Sequence, residues 1–307
     1  MPAKTFRRSR LRLFLYVLLG FIVAAIAIAG VLLHWDDQLE LYWQEQFVDA
    51  EQRAASVWLP DYELVLETTL TGLEEDETSG LTWNSATGTL FTVTGQNPQL
   101  VEFTTGGVVL RRVRLTGFSD PEAVEALDDG RLGIVDERRR LVAVFRLAPG
   151  VESLDLDDLA LYDLGFADAG NKGFEGLAWN PQTRRMLLAK ERDPQGLFEL
   201  PFPGEDGAVG ALEAVPGQDR LVRDISSVTI DPRTGHILML SDESRLLVEL
   251  DLLGRPCSFI SLFGGLNGLV DGIDQAEGVA MDAQSNIYVV GEPNRFYVFS
   301  RQREAAR

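Results

Sequence analysis

The first apolar feature along the chain is an unbroken run from Leu13 to Leu33, LFLYVLLGFIVAAIAIAGVLL, 21 residues without a charge. About 20 such residues span a bilayer core as a helix. The period then changes. Over residues 36–58 there is no Gly or Pro, and Leu39, Tyr42, Trp43, Phe47, Ala50, Ala54 and Trp58 recur at three- and four-residue steps. That spacing predicts a helix with one apolar stripe leaning on the C-terminal domain, ended by Pro60. Beyond it, short apolar runs rich in β-branched and aromatic residues alternate with Gly, Asn and Asp turns, which predicts antiparallel strands.

These strands come in repeats. Five units begin at Ser79, Glu122, Glu175, Ser226 and Glu277, spaced 43, 53, 51 and 51 residues apart. Three of them read Ser79-Gly-Leu-Thr-Trp-Asn84, Glu175-Gly-Leu-Ala-Trp-Asn180 and Glu277-Gly-Val-Ala-Met-Asp282. A turn comes after each, then an apolar strand (LFTVTG, LGIVDE, MLLAKE, ILMLSDE, IYVVGE) and a third strand (QLVEF, LVAVF, GLFEL, LLVEL, RFYVF). Most units close with a fourth. Repeats of 40–50 residues built from four short strands are propeller blades. The fifth unit has three strands, the last ending at Phe299, and a spare strand, Tyr62–Leu70, precedes the first unit. Pairing the two would close the ring and leave only short protected edges. The segment 201–222, rich in Gly, Pro and acidic residues, reads as a loop.

The expected fold class is therefore all-β, a five-bladed β-propeller behind a transmembrane helix and a short helical stalk. Its parts are a basic cytoplasmic tail (1–12), an anchor (13–34), a stalk (35–60), the propeller (61–302) and a tail (303–307). Residues 1–12 hold Lys4, Arg7, Arg8, Arg10 and Arg12 and no acid, while Asp36 and Asp37 come after the apolar run. The positive-inside rule then puts the N-terminus in the cytoplasm and the propeller in the periplasm, as a single-pass protein of the inner membrane. A cleaved signal peptide is the competing reading, since Ala27-Ile28-Ala29 resembles a cleavage site.

Charge and composition narrow the chemistry. Beyond the tail the chain holds 23 basic against 47 acidic residues, a net of −24. Such a surface repels phosphate backbones, so nucleic acid is not an expected partner. With Cys257 the only cysteine and His34 and His236 the only histidines, disulfides and multi-histidine zinc sites are out. His236, in an Asp231-Pro-Arg-Thr-Gly-His turn, reads as structural; Trp83 and Trp179 read as blade packing, and Arg138-Arg139-Arg140 as a solvated hairpin tip.

The Glu-Gly-Leu-Ala-Trp-Asn and Ala-Glu-Gly-Val-Ala-Met-Asp repeats, the Ser241-Asp-Glu-Ser244 turn and the basic anchor resemble the SdiA-regulated family of bacterial membrane-anchored proteins, over essentially all of residues 60–300. The resemblance implies a five-bladed propeller and a calcium site, and implies no catalytic activity. The residues agree on where such a site would lie. The first strand of each blade lines the central channel, so Ser79, Glu122, Glu175, Ser226 and Glu277 should ring its mouth. The loops after the second strands add Gly95-Gln96-Asn97, Asp136-Glu137, Lys190-Glu191, Asp242-Glu243 and Gly291-Glu292. Ca²⁺ takes six to eight oxygen ligands, the donor set this chain offers. Glu122, Glu175 and Glu277 are the first candidate ligands, with Glu191, Asp242 and Glu292 beside them and Lys190 as a possible counter-charge. Alternatively these acids cap strand ends and bond amides of adjacent blades. The functional expectation is a calcium-binding envelope module that takes a ligand or protein on its channel face. The alternatives are a calcium-dependent phosphoesterase or lactonase using ring carboxylates, and a purely structural scaffold.

Overall fold

The computed structural model describes residues 3–32, 35–165, 173–192, 194–202, 210–215 and 221–302. Strands Thr78–Asn84, Pro121–Ala126, Phe174–Asn180, Ser227–Ile230 and Ala276–Met281 are the innermost strands of five antiparallel sheets. Each packs against the next, and the fifth against the first, so the ring is closed. Its apolar side chains form five clusters, one between every pair of neighbouring blades. Blade 5 takes its outer strand from the start of the domain: Tyr62–Thr69 runs antiparallel to Arg295–Arg301, with Tyr62 opposite Arg301 and Thr69 opposite Arg295. The closing strand is thus as the repeat count required.

Each position of the repeat has a local reason. Asn84, Asn180, Asp231 and Asp282 accept from backbone N–H groups two residues on, at 2.8–3.1 Å, and so tie the turn into the second strand. The glycine in the second position lets the inner strands approach. A Cβ on Gly176 would lie 2.7 Å from Ala189 Cβ and 3.1 Å from the Val228 backbone N of the next blade, and one on Gly278 would lie 2.7 Å from the Gly80 carbonyl carbon. His236 is structural, as expected: its Nδ1 lies 2.6 Å from Glu249 Oε1. Trp179 is buried between blades 2 and 3, and Trp83 packs between blades 5 and 1.

Three expectations are revised. The segment 201–222 is not simply a loop, because Glu213–Ala214 pairs with Gly196–Pro201 as the fourth strand of blade 3. Two residues carry no readable period. Blade 1 gains a fifth strand, Ser153–Asp155, which runs parallel to Val109–Thr116. The stalk is two helices, Trp35–Glu45 and Ala50–Ala55, the second restarted by Asp49, whose side chain accepts from Gln52 N at 2.8 Å while Gln52 caps the Asp49 N–H. Its stripe is split: Leu39, Tyr42, Trp43, Phe47, Ala50 and Ala54 are exposed, Trp58 is buried as expected, and Leu41, outside the stripe, is buried against blades 3 and 4. The helix preceding the stalk runs Ala3–Leu32, and its side chains described without a break, Arg12–Ala25, are all exposed. Among the described residues no helix is long and apolar enough to cross a membrane.

The stalk is pinned at both ends of blade 4. Asp37 Oδ2 accepts from Ser244 Oγ at 2.8 Å and Arg223 Nε at 3.1 Å. At the other end the buried Glu249 carboxylate accepts from Val57 N (2.7 Å), Trp58 N (3.0 Å) and Ser258 Oγ (2.6 Å) besides His236. Glu249→Ala leaves two backbone donors buried without partners and is expected to cost about 3 kcal/mol or more, read as a lower urea midpoint. Gly176→Ala is expected to cost about 1–3 kcal/mol by overpacking. Gly95→Ala, where nothing lies within 4 Å of the new Cβ, should stay within about 0.5 kcal/mol of the parent.

Candidate metal centre at the channel mouth

The mouth is built by a recurring irregularity. In blade 3 Phe174 pairs with Lys190 and Gly176 with Ala189, which leaves Glu175 as an extra residue bulged out of the ladder. Glu122 and Glu277 are the extra residues at the same place in blades 2 and 5. In blade 1 the register shifts between Ser79 and Thr82, and in blade 4 Ser226 N donates to the carbonyl of Leu240, the residue paired with Ser227. A bulge bends its strand and re-aims one side chain. Here it sets Glu122, Glu175 and Glu277 outside their ladders, while Ser79 stays paired with Val93.

The five residues then divide by chemistry. The two serines clip neighbouring blades: Ser79 Oγ donates to the Glu122 carbonyl at 2.8 Å, and Ser226 Oγ to the Ala276 carbonyl at 2.6 Å. The three glutamates crowd one another. Burial pushes Glu175 up to about 10, and the charges of Glu191, Glu277, Glu122 and Glu137 add to it. Glu277 is held well above the usual carboxylate range, first by burial, then by Asp242, Glu292 and Glu122. Glu122 is pushed up to about 8 by burial, against a lowering hydrogen bond from Ser79, with Asp120 and Glu137 raising it further. The bulged glutamates therefore share one pole of the channel.

A second layer lies just beyond the second strands. Glu137, Glu191 and Glu292 each donate a backbone N–H to the chain entering the first strand of their own blade, at Asp120 (2.8 Å), Gly173 (3.3 Å) and Gln275 (2.9 Å). Their carboxylates have varied partners. Glu137 Oε1 accepts from Gly173 N at 2.6 Å and Asp242 Oδ1 from Ala276 N at 3.1 Å, each in the next blade. Both thus serve the blade-clipping role. Glu191 pairs with Arg192 at 2.8 Å, and Glu292 accepts from Gln275 Nε2 at 2.6 Å. Lys190 is fully buried beneath this layer, its Nζ donating to the Arg192 carbonyl.

Among the described residues one group brings three carboxylates within single-ion spacing: Asp120, Glu122 and Glu137, each offering an oxygen within 4.8 Å of the others. Of the six acids chosen from the sequence, Glu122 belongs to it. Glu175 and Glu277 approach it through charge, while Glu191, Asp242 and Glu292 stand around the rim. Glu137 occupies the same repeat position as Glu191, Asp242 and Glu292, so its column was the available signal. Asp120 stands in a mixed column, Glu77, Asp120, Gly173, Asp224 and Gln275, acidic in three blades of five, which is a weaker signal. Two further features were missed. Arg138 is solvated, as expected of a hairpin tip, but its Nε also lies 3.0 Å from Asp120 Oδ2. Together with Glu77, Ser79, Gln96, Glu122 and Glu292, Arg138 lines a cavity of about 320 Å³ at the mouth. Three residues farther along the inner strand, Glu125 accepts from Thr82 Oγ1 (2.8 Å) and Trp179 N (3.0 Å), joining blades 1, 2 and 3, and burial pushes it up to about 8.

The profile of the SdiA-regulated family matches residues 54–300. The chain belongs to the SdiA-regulated family. Solved structures similar to this family member include a gluconolactonase from Xanthomonas campestris (14% identity, TM-score 0.49, covering 82% of this chain and 93% of that one). Others are a virginiamycin B lyase from Staphylococcus aureus with quinupristin (11%, 0.47, 78% and 99%) and a nidogen/laminin complex (14%, 0.47, 70% and 72%).

The raised carboxyls set a pH dependence. In the folded protein they keep protons that the unfolded chain has already lost above the ordinary carboxylate range, so stability falls as pH rises toward about 8. In chelator, the melting temperature is expected to drop between pH 5 and pH 8, and Glu175→Gln to flatten that drop. A melting temperature rising over this interval, with the same slope in the variant, would contradict the buried-acid account.

Proposed function

We propose that this chain is a membrane-anchored, extracytoplasmic propeller that binds Ca²⁺ at its channel mouth and uses that face to hold a ligand or protein partner. The observation that carries the reading is the Asp120, Glu122 and Glu137 cluster, with Glu175 and Glu277 raised beside it. Like charges brought together at low dielectric are stabilised by a positive ion or by protons. An all-oxygen donor set suits a hard cation, and carbonyls and water would complete its six to eight ligands. The anchor rests on the 21 uncharged residues from Leu13 to Leu33 and on the basic tail before them.

A hydrolytic use of the same site has one observation in its favour. The cavity sets Arg138 beside Glu122, whose carboxyl is pushed up to about 8 in the ion-free site and would be lowered by a cation, leaving it ionised as a base at neutral pH. Ca²⁺ would supply a Lewis acid there. Turnover of lactones or phosphoesters by the full chain, lost in chelator and in Glu122→Gln, would move the assignment to an enzyme.

The binding test uses the full-length protein in nanodiscs. Millimolar Ca²⁺ should raise the melting temperature, by a free energy of about 2.7 kcal/mol at a hundredfold excess over Kd. The rise should be larger at pH 7.5 than at pH 5.5, because the ion competes with protons. The double variant Glu122→Gln, Glu137→Gln should fold in chelator and lose the calcium response. A wild-type protein indifferent to Ca²⁺ at both pH values would sink the proposal.

A further inference from the structure

The outward stripe of the stalk is the most unusual surface of the molecule. Leu39 (67% exposed), Tyr42 (56%), Trp43 (67%) and Phe47 (71%) lie at helical three- and four-residue steps on and just beyond the helix Trp35–Glu45. Beyond the first helix, they include every exposed aromatic side chain among the described residues; all others are at least partly covered. Trp43 and Phe47 pack edge to face at 5.5 Å, which keeps the two rings together in one patch. The opposite face of the same helix is committed to the propeller through Asp37 and Leu41. A stripe with four large apolar side chains in water, on a helix held rigidly by its other side, has a partner outside the domain.

Position selects that partner. Only three residues separate Leu33, the end of the uncharged run, from Asp37, four steps along the chain and a reach of at most about 14 Å. The helix therefore starts within the headgroup region of any bilayer that holds the anchor. Trp and Tyr with aliphatic neighbours are the side chains that favour that region. The helix runs along the outer edge of blade 4, packed on Pro256–Ser261, from the mouth-side residues Ser244 and Arg223 to the far-side hairpin. Near that hairpin a cavity of about 280 Å³ is lined by Gln44, Phe47 and Val48 together with Asp251 and Arg255. The hairpin itself exposes Leu252 (72%) and Leu253 (67%). Apolar side chains thus mark blade 4 from one end to the other.

We propose that the stalk helix lies in the membrane–water interface, its stripe in lipid and its other face on blade 4. The propeller then rests on its side, and the channel mouth opens parallel to the bilayer instead of facing it. A ligand reaches the mouth laterally along the membrane surface. The inference rests on the anchor reading and adds an orientation to it.

The test places one probe at a time in the full-length protein. Cys257, the native cysteine, is replaced by serine, and an environment-sensitive fluorophore is attached at Trp43→Cys or Phe47→Cys in vesicles of phosphatidylethanolamine and phosphatidylglycerol. Val23→Cys reports the anchor, and Val108→Cys, exposed on blade 1, reports water. The expected result is blue-shifted emission at 43 and 47, quenched by doxyl lipids and shielded from iodide, as at 23 and unlike 108. Iodide quenching at 43 equal to that at 108, with 23 still in lipid, overturns the orientation and leaves the anchor standing. A 43–43 cross-link between two copies that shields the probe from iodide and doxyl alike overturns it in favour of a dimer. Probes at 23 and 43 both in water overturn the anchor itself.

Discussion

Five strands packed side by side around one axis have almost no room where they pass closest, and that crowding governs the rest of the molecule. It demands glycine at 80, 176 and 278, where a Cβ would sit within 2.7 Å of atoms in a neighbouring strand. The bulge immediately before Gly176 and Gly278, and the register shift across Gly80, come from the same geometry. The strand must kink to enter the ring, and the extra residue cannot point into a blade already filled by core side chains. In blades 2, 3 and 5 the extra glutamates instead come within electrostatic reach of one another. A packing constraint thereby becomes a chemical one: whatever side chain stands in that position is delivered to a shared, poorly solvated space.

This chain has put glutamate in three of those five positions and serine in two. The serines are occupied by backbone carbonyls of adjacent blades, which leaves the carboxylates to define the character of the mouth. Burial and mutual repulsion act in the same direction on all three, and the acids at the ends of the second strands reinforce it. Some of those outer acids, Glu137 and Asp242, also clip one blade to the next through backbone amides. A site and a joint are therefore built from the same atoms. A ligand that changes the charge of the mouth must also act on the cohesion of the ring.

The stalk obeys a different logic. Its position is set by polar contacts at its two ends, Asp37 with Ser244 and Arg223, and the Val57 and Trp58 amides with Glu249. These contacts decide which side of the helix meets blade 4. The apolar stripe was left for something else. Glu249 receives four donors in a buried pocket, which makes it the point where the segment from the N-terminus becomes part of the propeller.

How much of this was legible depends on the range of the interaction. Strand type, blade number and the closing strand Tyr62–Thr69 were readable because alternation, turn residues and a 43–53-residue spacing are local or periodic signals. The acids of the mouth were readable as a column in the repeat for the same reason, Glu122, Glu175 and Glu277 among them. Asp120 was less so, since its column also holds Gly173 and Gln275 and it joins Glu122 and Glu137 only after two loops of one blade are folded together. The two-residue strand Glu213–Ala214 is too short for any period, and exists because the neighbouring strand offers it a ladder. The stalk shows the limit best. Three- and four-residue spacing revealed a stripe on a helix, but a helix has no knowledge of what will lie beside it. Only the tertiary contacts of Asp37 and Leu41 turned that stripe outward. Sequence determines which faces are apolar; the packed structure determines which of them are covered.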